Sequence, residues 1–217
     1  MHNAWGAKAS TPNALLTIKE SERSGPVIKF RLYATGVPKD TAYGIVAWPV
    51  TQKGPGEVLT GVTLDASGLA ICAGVPGTCG TSDKPNDPID LGLQPAPGEP
   101  VRLGLVSADG AVKVFAKLVP VPLRGENRGC TVEGVVLTPG AEVILIEGSG
   151  FPADSDLKVD SNSGSESHSE KGKTDIDGRY SVTMLPYNQG VRRGTLEVTL
   201  KSAGCSPSTR VPWGRRN

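Results

Sequence analysis

The chain has 217 residues and a net charge of +1, which gives no electrostatic reason to expect nucleic acid or an acidic membrane surface as a partner. Its 28 Gly and 18 Pro, with only 5% aromatic residues, argue against a helical protein or one massive core and for many short strands joined by Gly/Pro turns. No stretch approaches the roughly 20 apolar residues of a membrane span, so membrane insertion is not expected.

The chain opens on MHNAWGAKASTPN, a polar stretch without the apolar segment of a signal peptide. Residues 1–13 therefore read as the N-terminal extension of a mature exported form behind an added start Met. The extension carries Trp5, and such a segment can add a strand to a neighbouring copy's open sheet edge, building an oligomer or filament. ALLTIKE (14–20) is the first strand. PVIKFRLYATG (26–36) alternates with period two, with Ile28, Phe30 and Leu32 on one face and Lys29, Arg31 and Tyr33 on the other, the mark of a half-buried strand. Strands follow at 43–50, 57–65 and 68–74. After the loop TSDKPNDPID (81–90), residues 100–122 form a hairpin turned at Ala108-Asp109-Gly110, where Gly takes the positive φ.

LRGENRG (123–129) breaks the pattern and reads as a linker. A second series begins at Cys130, with strands at 131–138, 141–150, 157–161, 178–185, 194–200 and 208–214. Within it, SNSGSESHSEKGK (161–173) is polar and Ser-rich and reads as an exposed connection. No segment sustains a 3.6-residue apolar period, so almost no helix is expected.

The four cysteines fall as Cys72 with Cys79, around the Gly/Pro-rich AGVPGT, and Cys130 with Cys205, at either end of the second half. Three connectivities are open, and the spacing favours these two pairs. An even count without a C-x-x-C motif points to disulfides and an oxidising compartment.

The halves repeat one another. ATGVPKDTAY (34–43) and GSGFPADSDL (148–157) carry one phrase, and Phe30 and Leu32 match Ile144 and Ile146 at the same shift. Asp65-Ala-Ser-Gly68 matches Asp175-Ile-Asp-Gly178, and each half closes on Val-Pro. In the repeated phrase Gly bends the chain and Pro bars further ladder pairing, so it is a corner between strands rather than a doubled site. The expected architecture is all-β: two tandem Ig-like β-sandwich domains, residues 14–122 and 130–214, joined by 123–129.

VILIEGSGFPADSDLKV (143–159), a strand followed by Gly-x-Gly-Phe, Pro and a further strand, resembles the Ig-like modules of the IPT/TIG type found in bacterial extracellular proteins. TDIDGRYSV (174–182) is similar to the hairpin turns of bacterial surface Ig-like and prealbumin-like repeats. The first half shares the resemblance only through the repeat, with Gly36-Val37-Pro38 in place of Gly-Phe-Pro. The resemblance implies a secreted or cell-surface setting and a binding or structural role, without naming a ligand.

Catalytic chemistry finds little support. His2 and His168 are the only histidines, and no nucleophile elbow, HExxH, P-loop or dinucleotide fingerprint is present. Ser167 and Ser169 flank His168, but neighbours on an extended chain point to opposite sides. Asp154, Asp156, Asp160, Asp175 and Asp177 supply the oxygen chemistry that calcium takes, although the run from Asp160 fails as an EF-hand loop because Lys171 stands where a bidentate Glu is needed. Turn chemistry accounts for the same acids. No other cofactor is expected. Tyr33 and Trp48 are candidates for a sugar-stacking or protein-contact surface, and Tyr180, Tyr187 and Trp213 form a more scattered second set. The sequence thus points to a non-catalytic extracellular or surface protein working through contacts with other proteins or itself. A carbohydrate-binding module is the alternative.

Overall fold

The computed structural model describes residues 10–50, 54–75, 79, 84–188 and 190–214. Among these the chain is all-β, with four antiparallel sheets and no helix. It divides into two compact units: one runs to Pro95 and resumes over Val101–Pro120, and the other takes Ala96–Pro100 and everything from Val121.

The first unit contains β1 (Leu15–Ser24), β2 (Val27–Thr35), β3 (Tyr43–Pro49), β4 (Gly56–Leu64), β5 (Ala70–Cys72), β6 (Leu91–Leu93), β7 (Val101–Ser107) and β8 (Lys113–Leu118). They form a sheet ordered β1-β2-β6 and another ordered β5-β4-β3-β7-β8. The period-two reading of β2 holds, with Ile28, Phe30, Leu32 and Ala34 buried and Tyr33 partly exposed. Leu16 and Leu32 of the smaller sheet share a core with Tyr43, Ile45, Val62, Leu103, Leu105 and Val114 of the larger. β1 runs past the apolar ALLTIKE because a two-residue turn, with Gly25 at φ 56°, folds the polar stretch to Ser24 back onto β2.

The second unit contains β9 (Leu123–Asn127), β10 (Cys130–Val136), β11 (Ile144–Ser149), β12 (Asp156–Ser163), β13 (Glu166–Lys173), β14 (Tyr180–Met184), β15 (Arg193–Lys201) and β16 (Ser208–Gly214). Its sheets are ordered β14-β11-β10-β9 and β13-β12-β15-β16. Val132, Ile144 and Ile146 of one and Val159, Leu196, Val198, Leu200 and Val211 of the other enclose a single core. Two readings from the sequence are corrected here. Residues 123–129 are not a linker: β9 pairs with β10 through a two-residue turn whose central residues, Arg128 and Gly129, both take positive φ, the geometry that matches strand twist. Residues 161–173 are mostly exposed, as expected, but are not a connection between strands: β12 and β13 form a hairpin turned at Gly164-Ser165. β9 and β13 lack apolar alternation because each ends its sheet, where backbone pairing on one side suffices.

The repeated turn is built in the same way in both units. Asp65 Oδ1 accepts the amides of Ser67 and Leu69, and Asp175 Oδ1 accepts those of Asp177 and Arg179. Each turn closes on a glycine with φ of 86° at Gly68 and 68° at Gly178. The docking partner differs: Gly68 O accepts the Ala34 amide, and Gly178 O accepts that of Phe151. An ideal Cβ on Gly68 would lie 2.2 Å from Ala34 O, and on Gly178 2.0 Å from Phe151 O. Gly68→Ala and Gly178→Ala should each lower the unfolding free energy by about 2–3 kcal/mol in urea melts, against about 1 kcal/mol for Gly110→Ala, where nothing lies within 4 Å.

The disulfides are Cys72–Cys79 and Cys130–Cys205, and no described cysteine is free. The first clips the end of β5. The second joins β10 in one sheet to the β15–β16 turn in the other. Disulfide stabilisation grows with the length of the loop closed, and the sequence separations are 7 and 75. Dithiothreitol should lower the melting temperature. Cys130→Ser with Cys205→Ser should lose about 4 kcal/mol and the Cys72/Cys79 pair about 2 kcal/mol. Equal losses would contradict the chain-entropy account.

Candidate functional site

Trp5 lies outside the described residues, as do 81–83 of the loop before β6. At the described end of the N-terminal extension, Thr11 N–H donates to Lys113 O at 2.7 Å, and Ser10 Oγ accepts the Phe115 amide at 3.0 Å. Ser10 and Thr11 therefore lie along β8 of their own chain. Tyr33 and Trp48 are not brought into one platform: they stand on different sheets of the first unit, with Lys19 Nζ 4.6 Å from the Tyr33 ring centre and the Arg102 guanidinium 4.7 Å from that of Trp48.

The acidic candidates are spread over separate tasks. Asp175 clamps its turn, and Asp154 sits at φ 50° with Lys173 Nζ 4.0 Å away. Asp160 accepts from Lys201 Nζ at 2.7 Å and has Lys158 Nζ at 3.1 Å. Among the described residues no three His, Cys, Asp or Glu side chains are grouped to hold a metal ion. The Lys201 ammonium, then the Ser169 hydroxyl and Lys158, hold the Asp160 carboxyl well below the usual carboxylate range. A depressed carboxyl stabilises the fold above its unfolded pKa of about 3.9 and loses that contribution as pH falls below it. The melting-temperature gap between the native chain and Asp160→Asn should be full at pH 6 and shrink on acidification below about pH 4. A gap independent of pH would show that the lysines do not act on this carboxylate.

The described residues gather differently, at one seam of the second unit. Its two sheets have two facing edges. At the β9/β16 edge they are tied closely: Thr209 Oγ1 donates to Leu123 O at 2.7 Å, and an ideal Cβ on Gly125 would lie 1.6 Å from Ser208 O. At the other edge β13 faces β14, and no hydrogen bond joins the two strands among the described residues. Cross-strand register explains what fills this seam. Leu196, Ser163 and Glu166 form one row across β15, β12 and β13; Val198, Ser161 and His168 form the next; Leu200, Val159 and Glu170 the third. Side chains directly opposite share a face. Each row thus starts on a core aliphatic and ends on an ionisable residue of the terminal strand. Charges turned inward on a terminal strand also deter edge-to-edge pairing.

The result is a cavity of about 240 Å³ with unlike walls. β13 supplies Glu166, His168 and Glu170; the opposite wall is Val182 and Met184 of β14 and the following Leu185-Pro186-Tyr187. Beyond β13's lining residues, the Tyr180 ring lies 2.6 Å from an ideal Cβ on Gly172, and burial followed by the nearby Glu170 charge pushes its phenol up. Asn188 Nδ2 donates to Ser163 O at 3.4 Å. Leu185 and Tyr187 are 72% and 64% exposed and lie two residues apart on one segment.

Two buried polar atoms flank this ridge. Ser163 Oγ and Trp213 Nε1 have no hydrogen-bond partner, and they are the two such side-chain atoms among the described residues. Ser163 lines the slot; Trp213 lines a second, open depression with Glu142, Arg192 and the same Leu185-Pro186-Tyr187. A buried polar atom left unpaired costs about 1–3 kcal/mol. Ser161, His168 and Glu166 also share the slot, but His168 Nε2 is 3.9 Å from Glu166 Oε2 and no hydrogen bond links Ser161 to His168, so no proton relay is assembled.

Ser163, Glu166, Glu170 and Leu185 escaped the sequence reading, and Tyr187 and Trp213 stood only as scattered aromatics. Glu166-x-His168-x-Glu170 alternates, but a polar alternation gives no sign of which face is inward until β12 sets the register. No protein-family model matches the chain, and neither does any curated protein.

Proposed function

We propose that this is a non-catalytic extracellular or cell-surface protein, built of two Ig-like modules of the IPT/TIG type, that works through protein–protein contacts. Its contact site is the open β13/β14 seam of the second unit. The carrying observation is the exposed Leu185–Tyr187 ridge, with the unpartnered Ser163 Oγ on one side and Trp213 Nε1 on the other. Several features support the reading. Both strands bordering the seam are terminal in their sheets, so an extended segment can approach either backbone as well as the slot between them. Two disulfides suit an oxidising, extracellular setting. Adhesion and scaffolding are the roles such a module serves.

Selection of displayed peptides against the intact, oxidised chain tests this. The expected outcome is a set of extended peptides whose affinity falls at least about tenfold on Leu185→Asp with Tyr187→Ala, as expected for central anchors of a contact. Peptides indifferent to that double change would refute the site. A glycan-array signal lost on Tyr33→Ala or Trp48→Ala would favour a carbohydrate module instead.

A further inference from the structure

The chemistry of the slot narrows the partner. Glu166 and Glu170 stand among its lining residues, and no lysine or arginine lines it. The basic residues of β13 do not offset them, because Lys171 and Lys173 have the opposite parity to Glu166, His168 and Glu170 and so lie on the other face of the strand. The facing wall is aliphatic. A ligand that fits must therefore be apolar along one side and cationic on the other or at its tip. Its size is limited as well, since 240 Å³ is below the roughly 300–1,000 Å³ that takes a drug-sized molecule. The slot holds one long side chain.

The hairpin end of the slot identifies the cation. Ser163 and Glu166 are direct cross-strand partners at the tip of the β12–β13 hairpin. Ser163 is 6% exposed and its hydroxyl is unpartnered. A hydroxyl and a carboxylate side by side make a compact pair of acceptors. That suits the rotatable donors of an ammonium better than the planar fork of a guanidinium, which calls for coplanar acceptors. Resting on the protein-contact reading above, we propose that the seam recognises a lysine side chain on an extended partner segment. The methylenes lie against Val182 and Met184, and the ammonium donates to Ser163 Oγ and the Glu166 carboxylate. Glu170 adds negative potential further along the strand. The flanking residues of the segment rest on Leu185 and Tyr187.

The test is an NMR titration of the intact, ¹⁵N-labelled chain at low salt with the capped peptide Ac-Val-Thr-Lys-Thr-Val-NH₂ and its twin carrying norleucine in place of lysine. The lysine peptide should move the amides of Ser161, Ser163, Glu166, His168 and Met184. It should bind at least about tenfold more tightly than the twin, and lose about that factor on Glu166→Gln, because a hydrogen bond to a charged group is among the stronger kind. Ser163→Ala should cost a smaller, severalfold loss, with melting curves of both variants confirming that they fold. If the twin binds as tightly, or Glu166→Gln changes nothing, lysine selection is wrong while the peptide-contact site stands. If neither peptide moves these amides, both are wrong, and a neutral oligosaccharide that moved them would assign the slot to glycans.

Discussion

The arrangement of the second unit follows from the pleat of one sheet. Because side chains alternate strictly along paired strands, the row that carries Leu196, Val198 and Leu200 inward on β15 must also carry Glu166, His168 and Glu170 inward on β13. Burying ionisable groups without partners is expensive, so the opposite sheet cannot close over them as it does over the aliphatic end of the same rows. The sandwich is therefore tight where β9 meets β16 and open where β13 faces β14. The slot, the exposed ridge beside it and the unpartnered Ser163 hydroxyl are consequences of that gradient from core to edge.

The tight seam makes the open one possible. Backbone approaches closely enough at Gly125 that Ser208 O occupies the place of a side chain, and Thr209 Oγ1 bonds across to Leu123 O. The Cys130–Cys205 bond adds a covalent tie between the same two sheets. With the sheets held together on that side, the other edge can carry polar and exposed apolar residues without separating. The tied edge and the open edge thus lie on opposite sides of one small core. The first unit assigns its resources differently: its extension lies along β8 through Ser10 and Thr11, and its exposed charges pair on the surface, as in Arg31 with Asp90. Such surface pairs contribute little to stability.

The duplicated phrase takes its meaning from both units together. The Asp-x-x-Gly turn is a hydrogen-bonded clamp in each copy, and in each the glycine lets a carbonyl dock where a methyl group could not fit. Yet the turns dock on residues that do not correspond, Ala34 in one and Phe151 in the other. The device is common to both units and its neighbours have diverged.

Period-two alternation and turn chemistry determined most of the fold from the sequence alone. The inward face of β2, the turn at Ala108–Gly110, the corner glycines and the two cysteine pairs were legible because each depends on residues close in the chain or on a simple pairing count. Three strands were not. β6 is only three residues long, β9 and β13 hold too few apolar residues to show a pattern, and backbone pairing with their neighbours makes all three strands. The candidate site was hidden for the same reason. The spacing of Glu166, His168 and Glu170 is visible in the sequence, but whether they face water or the core is decided by the register with β12. The orphaned hydroxyl of Ser163 exists only because two sheets, distant in sequence, meet on one side and part on the other.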